Sequence, residues 1–271
     1  MKREKTELGL FEMQVLAYVQ LRKLDIIRTG DISPVLGITP KQEWELLSRM
    51  ARSGLIIRLK RGVYLVPPRM PAGGRWAVSE YFILSKLMML LQGKYQISGP
   101  NAFNFYGYDD QIPNRVYVYN NRIFGDKNIG GVEFVFIKTL DRRLGSIRKF
   151  KTSDGIEAVM ASRARALMDA IYDWSRYNTI PRGYGWIASS VANESGFAEE
   201  LISVTVKFGN IGTARRIGYL LALCGVGDNQ LAKLKRKLGS SKSLIPWIPR
   251  KKAKGSVNRD WGLIINGTFR A

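Results

Sequence analysis

Six carboxylates are placed where they could do chemistry: Asp109, Asp110, Glu133, Asp141, Asp169 and Asp173. Metal-assisted hydrolysis or phosphoryl transfer needs two or three converging acids, usually with a lysine. The spacing here does not supply them. Glu133 and Lys138 share a strand-like run but lie five residues apart, so they point to opposite faces. Asp109-Asp110 reads as a turn. Asp169 and Asp173 stand one helical turn apart, but Arg165 and Arg176 at helical spacing predict surface ion pairs instead. The chain has no histidine, which removes Ser-His and Cys-His nucleophiles and nearly every zinc catalytic site. It has neither a P-loop nor a dinucleotide fingerprint. The expectation is a protein that is not an enzyme, with no catalytic residues, no metal and no cofactor.

Charge is the chemistry that remains. Lys and Arg number 43 against 22 acids, a net +21 at pH 7. Such an excess points to a polyanionic partner. One local cluster is "RLKRGVYLVPP", residues 58–68, where Arg58, Lys60 and Arg61 crowd the tip of a short hairpin. Just before it, Lys41, Gln42, Glu45, Arg49 and Arg52 occupy one face of a helix. These eight residues are the candidate DNA contacts. The hairpin cations suit phosphate neutralisation, which supplies affinity without reading sequence, and the helix suits base edges. Glu43 and Glu45 are compatible with groove reading, since a carboxylate accepts from cytosine. A solvated helix face, or a winged helix serving as a protein-interaction module, is the plainer alternative.

The elements that must position these residues can be read along the first seventy positions. Residues 6–21 predict a helix with Leu8, Phe11, Val15 and Tyr18 on its apolar face. Thr29-Gly30-Asp31 opens a short helix ending at Gly37, with Ile32, Val35 and Leu36 inward and Pro34 tolerated in the first turn. In "GITPKQEWELLSRMARSG", Thr39 is an N-cap, Pro40 the first helical residue, and Gln42 completes a capping box. Trp44, Leu47 and Ala51 are expected inward, and Gly54 stops the helix. "LIIRLK" and "VYLV" then form a hairpin across Arg61-Gly62. Three helices followed by a β-hairpin is the order of a winged helix-turn-helix.

"VPPRMPAGGR", residues 66–75, is the boundary: its prolines and glycines break regular structure. The domains predicted are a winged helix-turn-helix over 1–69 and a larger mixed α+β domain over 70–271. The fold class is α+β, with an antiparallel sheet followed by helices. A helix over about 76–92 opens the second domain. A short helix follows Ser98-Gly99-Pro100, and "RVYVYN", "VEFVFIK", "GSIRKFKT" and "GIEAVMA" read as strands. Asn120-Asn121 and Gly130-Gly131 bracket a loop, and Ser153-Asp154-Gly155 is a hairpin turn. Ser162 caps "RARALMDAIYDW", and helices follow near 183–192, 197–207, 211–223 and 228–238. Residues 233–271 hold eleven basic residues and one acid. Two readings stand for the basic stretch 233–254: a disordered tail, or a loop from which the chain returns through the strand-like "DWGLIIN".

"YFILSKLMMLL", the most apolar run, is short and carries Lys86, so a buried helix is expected and no membrane partner. The N-terminus has charges inside its apolar part, unlike a signal peptide. A single cysteine, Cys224, fits a reducing cytoplasm.

Taken in order, "LKRGVYLVPP", "ISGPNAFNFYGYDDQIPNRVYVYNNR", "ASRARALMDAI" and "DWGLIIN" resemble the AbiEi-type antitoxins of type IV toxin–antitoxin systems. The resemblance spans about residues 6–268 and rests on order and spacing, each motif being weak alone. It implies a winged helix that binds double-stranded promoter repeats and represses its own operon. It also implies a larger domain that antagonises a nucleotidyltransferase-like toxin, with or without a stable complex. The alternative is an RNA- or DNA-binding or nucleic-acid-processing protein acting through its C-terminal domain. Residues 1–69 carry 13 basic and 7 acidic residues, net +6, which leaves +15 for the remainder.

Overall fold

The structure, a computed structural model, describes residues 8–69, 76–152, 155–240 and 243–268. The chain divides into two compact units. One holds residues 1–92 with segments 126–134 and 152–157; the other holds 93–125, 135–151 and 158–271.

The first unit opens with α1 (Leu10–Leu21), β1 (Ile26–Arg28), α2 (Ser33–Leu36) and α3 (Pro40–Ser53). The wing strands β2 (Ile57–Lys60) and β3 (Val63–Leu65) follow, then α4 (Glu80–Leu90). The strands form an antiparallel sheet in the order β1-β3-β2, with Ile27 and Arg58 both opposite Tyr64. Thr39 caps α3 as its sequence indicates: the Gln42 N–H donates to the Thr39 hydroxyl while the Thr39 N–H donates to Oε1 of Gln42 at 2.8 Å. Gly54 ends that helix in the left-handed region. Val15, Leu16, Val19, Ile27, Leu47 and Met50 are buried together and set the angle of α3 against α1 and the sheet.

Several expectations change here. The buried face of α1 is Val15, Leu16 and Val19, and Phe11 is exposed. Val35 is exposed on α2, which is too short to bury a full stripe. Strand β1 carries no separate sequence signal, because three residues are too few for a period. Residues 1–7, and 70–75 of the Pro/Gly-rich boundary, lie outside the described residues.

Further along come β4 (Tyr95–Ile97), α5 (Pro100–Phe105), β5 (Arg115–Asn120), β6 (Gly125–Ile129), β7 (Val132–Lys138), β8 (Ile147–Lys151) and β9 (Glu157–Ala161). They form a six-stranded sheet in the order β6-β7-β5-β4-β9-β8. β4 pairs antiparallel with β5 and parallel with β9. The segment expected as a loop between Asn121 and Gly130 contains β6, whose polar sequence hides its strand character. Ser153 and Asp154 of the expected hairpin turn lie outside the described residues.

The helical part comprises α6 (Arg163–Tyr172), α7 (Trp174–Tyr177), α8 (Arg182–Asn193), α9 (Phe197–Phe208), α10 (Ile211–Leu223) and α11 (Asp228–Leu238). Leu167, Ile187, Leu201, Ile217, Leu220 and Leu234 fill its core. A last small sheet, β10 (Ile245–Pro246), β11 (Ser256–Asn258) and β12 (Leu263–Ile265), has β12 in the middle. It adds Trp247 and Trp261 to the same core. Trp261 requires Gly218 on α10, where a Cβ would come within 2.0 Å of its ring. Much of the basic stretch is therefore part of the fold, in the last turns of α11, in β10 and at buried Trp247, and 251–257 is an exposed segment between anchored ends.

The expected surface pairs of Asp169 are overturned. Arg165 and Asp169 are both fully buried. Arg165 Nε donates to both carboxylate oxygens at 3.0 Å, and its two terminal nitrogens donate to the carbonyls of Gly145 and Arg143. The Ser98 hydroxyl completes the set at 3.0 Å. Helical spacing correctly pairs these residues but says nothing about which side of the helix meets water.

Candidate nucleic-acid interface

Helix α3 and the β2–β3 wing carry all eight candidate contacts. Lys41, Gln42, Glu45, Arg49, Arg52, Arg58, Lys60 and Arg61 are exposed. On α3, Lys41, Glu45, Ser48 and Arg52 fall along one stripe at i, i+4, i+7 and i+11, with Arg49 beside it. On β2, Arg58 and Lys60 alternate with buried Ile57 and Leu59, so strand pleating pushes both cations outward. Gly62 turns the wing at φ +70, and its carbonyl accepts from the Thr29 N–H at 3.0 Å, tying the tip to the end of β1. Among the described residues, the side chains of Lys41, Arg58, Lys60 and Arg61 make no hydrogen bond or ion pair and are available to an outside anion.

The remaining candidates are differently engaged. Arg49 is held by Glu12 of α1 at 3.0 Å, which partly neutralises it. Arg52 Nε reaches the Ser48 carbonyl at 3.4 Å. The carboxamide oxygen of Gln42 serves the cap of its own helix. Bidentate recognition of adenine needs both ends of a glutamine amide, so this cap competes with it.

Two further residues of α3 change roles. Trp44, expected inward, is 58% exposed and stands between Lys41 and Ser48 on the outer stripe. Glu43, expected as a possible groove reader, is fully buried. Its carboxylate accepts from the Gly30 N–H with both oxygens and from the Ile32 N–H, each at 3.0 Å. Glu43 thus holds the turn entering α2 against α3. Its partners lie eleven and thirteen residues away, beyond the reach of local pattern.

Replacing Glu43 by Ala strips these donors of a charged acceptor inside the fold. Such bonds carry about 1.5–3 kcal/mol each in mutational series, and the orphaned N–H groups add their desolvation penalty. The expected loss is about 3 kcal/mol in urea unfolding of the first unit, with Glu43→Gln losing less. An unchanged midpoint for Glu43→Ala would contradict the assigned role.

Among the described residues no cluster of acids and cysteine is able to hold a metal ion, and no helix is long and apolar enough to cross a membrane.

The order α1-β1-α2-α3-β2-β3, with the sheet order β1-β3-β2, defines a winged helix-turn-helix. Residues 14–67 match the family model of a transcriptional regulator, the AbiEi antitoxin, in agreement with the resemblance carried by the sequence. No curated protein sequence matches the chain. Among solved structures it is similar to the crystal structure of the RV2827C protein from Mycobacterium tuberculosis. That match has a TM-score of 0.57 and 15% identity, covers 95% of this chain and 92% of that chain, and shows a shared fold across both units.

Proposed function

We propose that the chain is a sequence-specific DNA-binding repressor of its own promoter and the antitoxin of a type IV, AbiE-like operon, countering a nucleotidyltransferase-like toxin. The observation that carries this reading is the set of unpartnered cations on α3 and the wing, in the segment that matches the regulator family. Residues 1–69 supply DNA binding and 70–271 the antitoxin function. Arg58, Lys60 and Arg61 clamp phosphates, while Lys41, Gln42, Glu45, Arg49 and Arg52 face the groove, with Lys41 freest to move. The protein acts in the cytoplasm, without cofactor or catalysis of its own.

Two measurements test the reading. Footprinting on DNA upstream of the gene should show protected repeats that a scrambled sequence does not compete for. Co-expression with an AbiE-like nucleotidyltransferase toxin, sought in the reading frame beside this gene, should restore growth, whether or not the two proteins co-purify. Failure to bind upstream DNA removes the repressor, and failure to rescue removes the antitoxin.

Trp44 adds a specific expectation. An exposed indole on a groove-facing stripe offers apolar contact to a thymine methyl, and aromatic side chains lose little entropy on contact. Trp44→Ala should weaken operator binding by about tenfold, or about 1.4 kcal/mol, and leave the melting temperature unchanged. Wild-type affinity in a gel-shift titration would remove Trp44 from the interface.

A further inference from the structure

Within the second unit, a cavity of about 590 Å³ opens over the first turn of α10. It is of the size that takes small ligands. Asn210 caps the helix, its Oδ1 accepting from the N–H and the hydroxyl of Thr213 at 2.8 and 2.9 Å. The N–H groups of Ile211 and Gly212 have no acceptor among the described residues, and they sit at the positive end of a thirteen-residue helix.

A helix end alone would not define a site. The second observation is Arg216, which lines the same cavity and is only 7% exposed. One terminal nitrogen donates to the Pro246 carbonyl at 3.0 Å, and the guanidinium bonds the Tyr184 hydroxyl. Nε has no partner. Among the described residues no carboxylate pairs with Arg216. A buried guanidinium without a counter-charge costs free energy that an incoming anion offsets. Gly212 adjoins the other terminal nitrogen of Arg216: a Cβ there would lie 3.5 Å from it, in ordinary van der Waals contact. Lys237 lines the cavity too, with one ammonium hydrogen on the Val206 carbonyl at 2.7 Å and two to spare. Burial lowers the pKa of Arg216, as expected for a cation lacking its anion.

The remaining wall is apolar, with Ile171, Ile211 and Ile245 beside two aromatic side chains. Those two are Tyr172 and Trp174, and the Arg143 guanidinium stacks 3.6 Å from the Tyr172 ring centre, which holds that ring in place. An anion pocket beside aromatic side chains matches a phosphate joined to a planar base. We infer that this cavity binds a nucleoside monophosphate, its phosphate on the α10 N-terminus between Arg216 and Lys237 and its base against Tyr172 and Trp174. The site is separate from the winged helix, and the inference does not depend on DNA binding.

Calorimetric titration of the full chain in phosphate-free buffer, with adenosine monophosphate, inorganic phosphate and adenosine as probes, tests this. Saturable binding of the monophosphate is expected, at least about tenfold tighter than either fragment. Ile211, 43% exposed at the first helical position, gives a variant that should fold normally. Ile211→Glu places a carboxylate where it favours the helix but repels a phosphate, so the melting temperature should hold while monophosphate affinity falls by about tenfold or more. Arg216→Gln should lose binding as well. Absence of saturable binding to the wild type overturns the site, as does undiminished binding by Ile211→Glu. Equal affinity for inorganic phosphate and the monophosphate overturns the nucleoside assignment.

Discussion

Reversing both wing cations, Lys60→Glu with Arg61→Glu, is expected to reduce operator affinity by about two orders of magnitude. Like charges brought together at an interface cost several kcal/mol, and about 2.8 kcal/mol is a hundredfold. The stronger signature is the salt dependence. Each neutralised phosphate contributes about 0.9 to the log–log slope of affinity against salt, so losing two contacts should flatten it by about 1.8. The fold should be indifferent, because neither side chain makes an internal hydrogen bond or ion pair among the described residues, and the hairpin is held by buried Leu59, Val63 and Leu65. Base preference should also survive, since phosphate contacts set register and affinity but carry no sequence information. Fluorescence anisotropy with operator and scrambled duplexes, from about 50 to 200 mM salt, separates these effects. A double variant with wild-type slope would mean that the wing does not lie on the phosphates. A variant that lost discrimination while keeping its slope would mean that the wing reads bases.

Elements whose signals are local were legible in the sequence. The capping box of Thr39 and Gln42, the Arg61-Gly62 turn and the helices from α8 to α11 depend on neighbours a few residues apart. The alternation that exposes Arg58 and Lys60 is equally local, which makes the cations of the candidate interface legible too. Features fixed by distant partners were not legible. Strand β1 exists because β3 pairs with it across more than thirty residues. Glu43 reads as a surface acid until Gly30 and Ile32 are seen to point N–H groups at it. Helical spacing puts Trp44 on one stripe with Leu47 and Ala51, but the buried face of α3 is Glu43, Leu46, Leu47 and Met50, which leaves Trp44 outside. Arg216 looks like half of an ordinary Arg-Arg pair on a helix, and its burial against Tyr184 of α8 and Pro246 of β10 depends on partners about thirty residues away on either side. Charge in a sequence states that an ion exists; whether it is solvated, paired or left for a ligand is decided by the tertiary fold.

The same point yields an expected stability effect as large as that of Glu43→Ala. Arg165→Met should destabilise the second unit by about 3 kcal/mol, the lower end of the range for breaking a buried pair by removing one partner. The low end applies because Arg143 stays 4.0 Å from Asp169. The loss has three sources: the charge partner of Asp169, the donors to the Gly145 and Arg143 carbonyls, and the guanidinium stacked 4.4 Å from the Phe208 ring centre. Burial already pushes the Asp169 carboxyl above its ordinary value of 3.8, while Arg165, Arg143 and Ser98 draw it back. Removing Arg165 leaves burial less opposed, so the folded-state value climbs further. A folded carboxyl that titrates above the unfolded one holds a proton that the unfolded chain has released. Stability is therefore retained at low pH and lost as pH rises from about 3.8 through the folded value. The deficit of Arg165→Met relative to wild type should accordingly be smallest near pH 4 and grow toward pH 7, read as the difference in urea midpoints. Adding Asp169→Leu removes the stranded charge and should recover much of the loss, since apolar replacement of a whole buried pair is often neutral. A deficit that did not change with pH, or a double variant no better than the single, would show that Arg165 acts through its carbonyl contacts and packing alone.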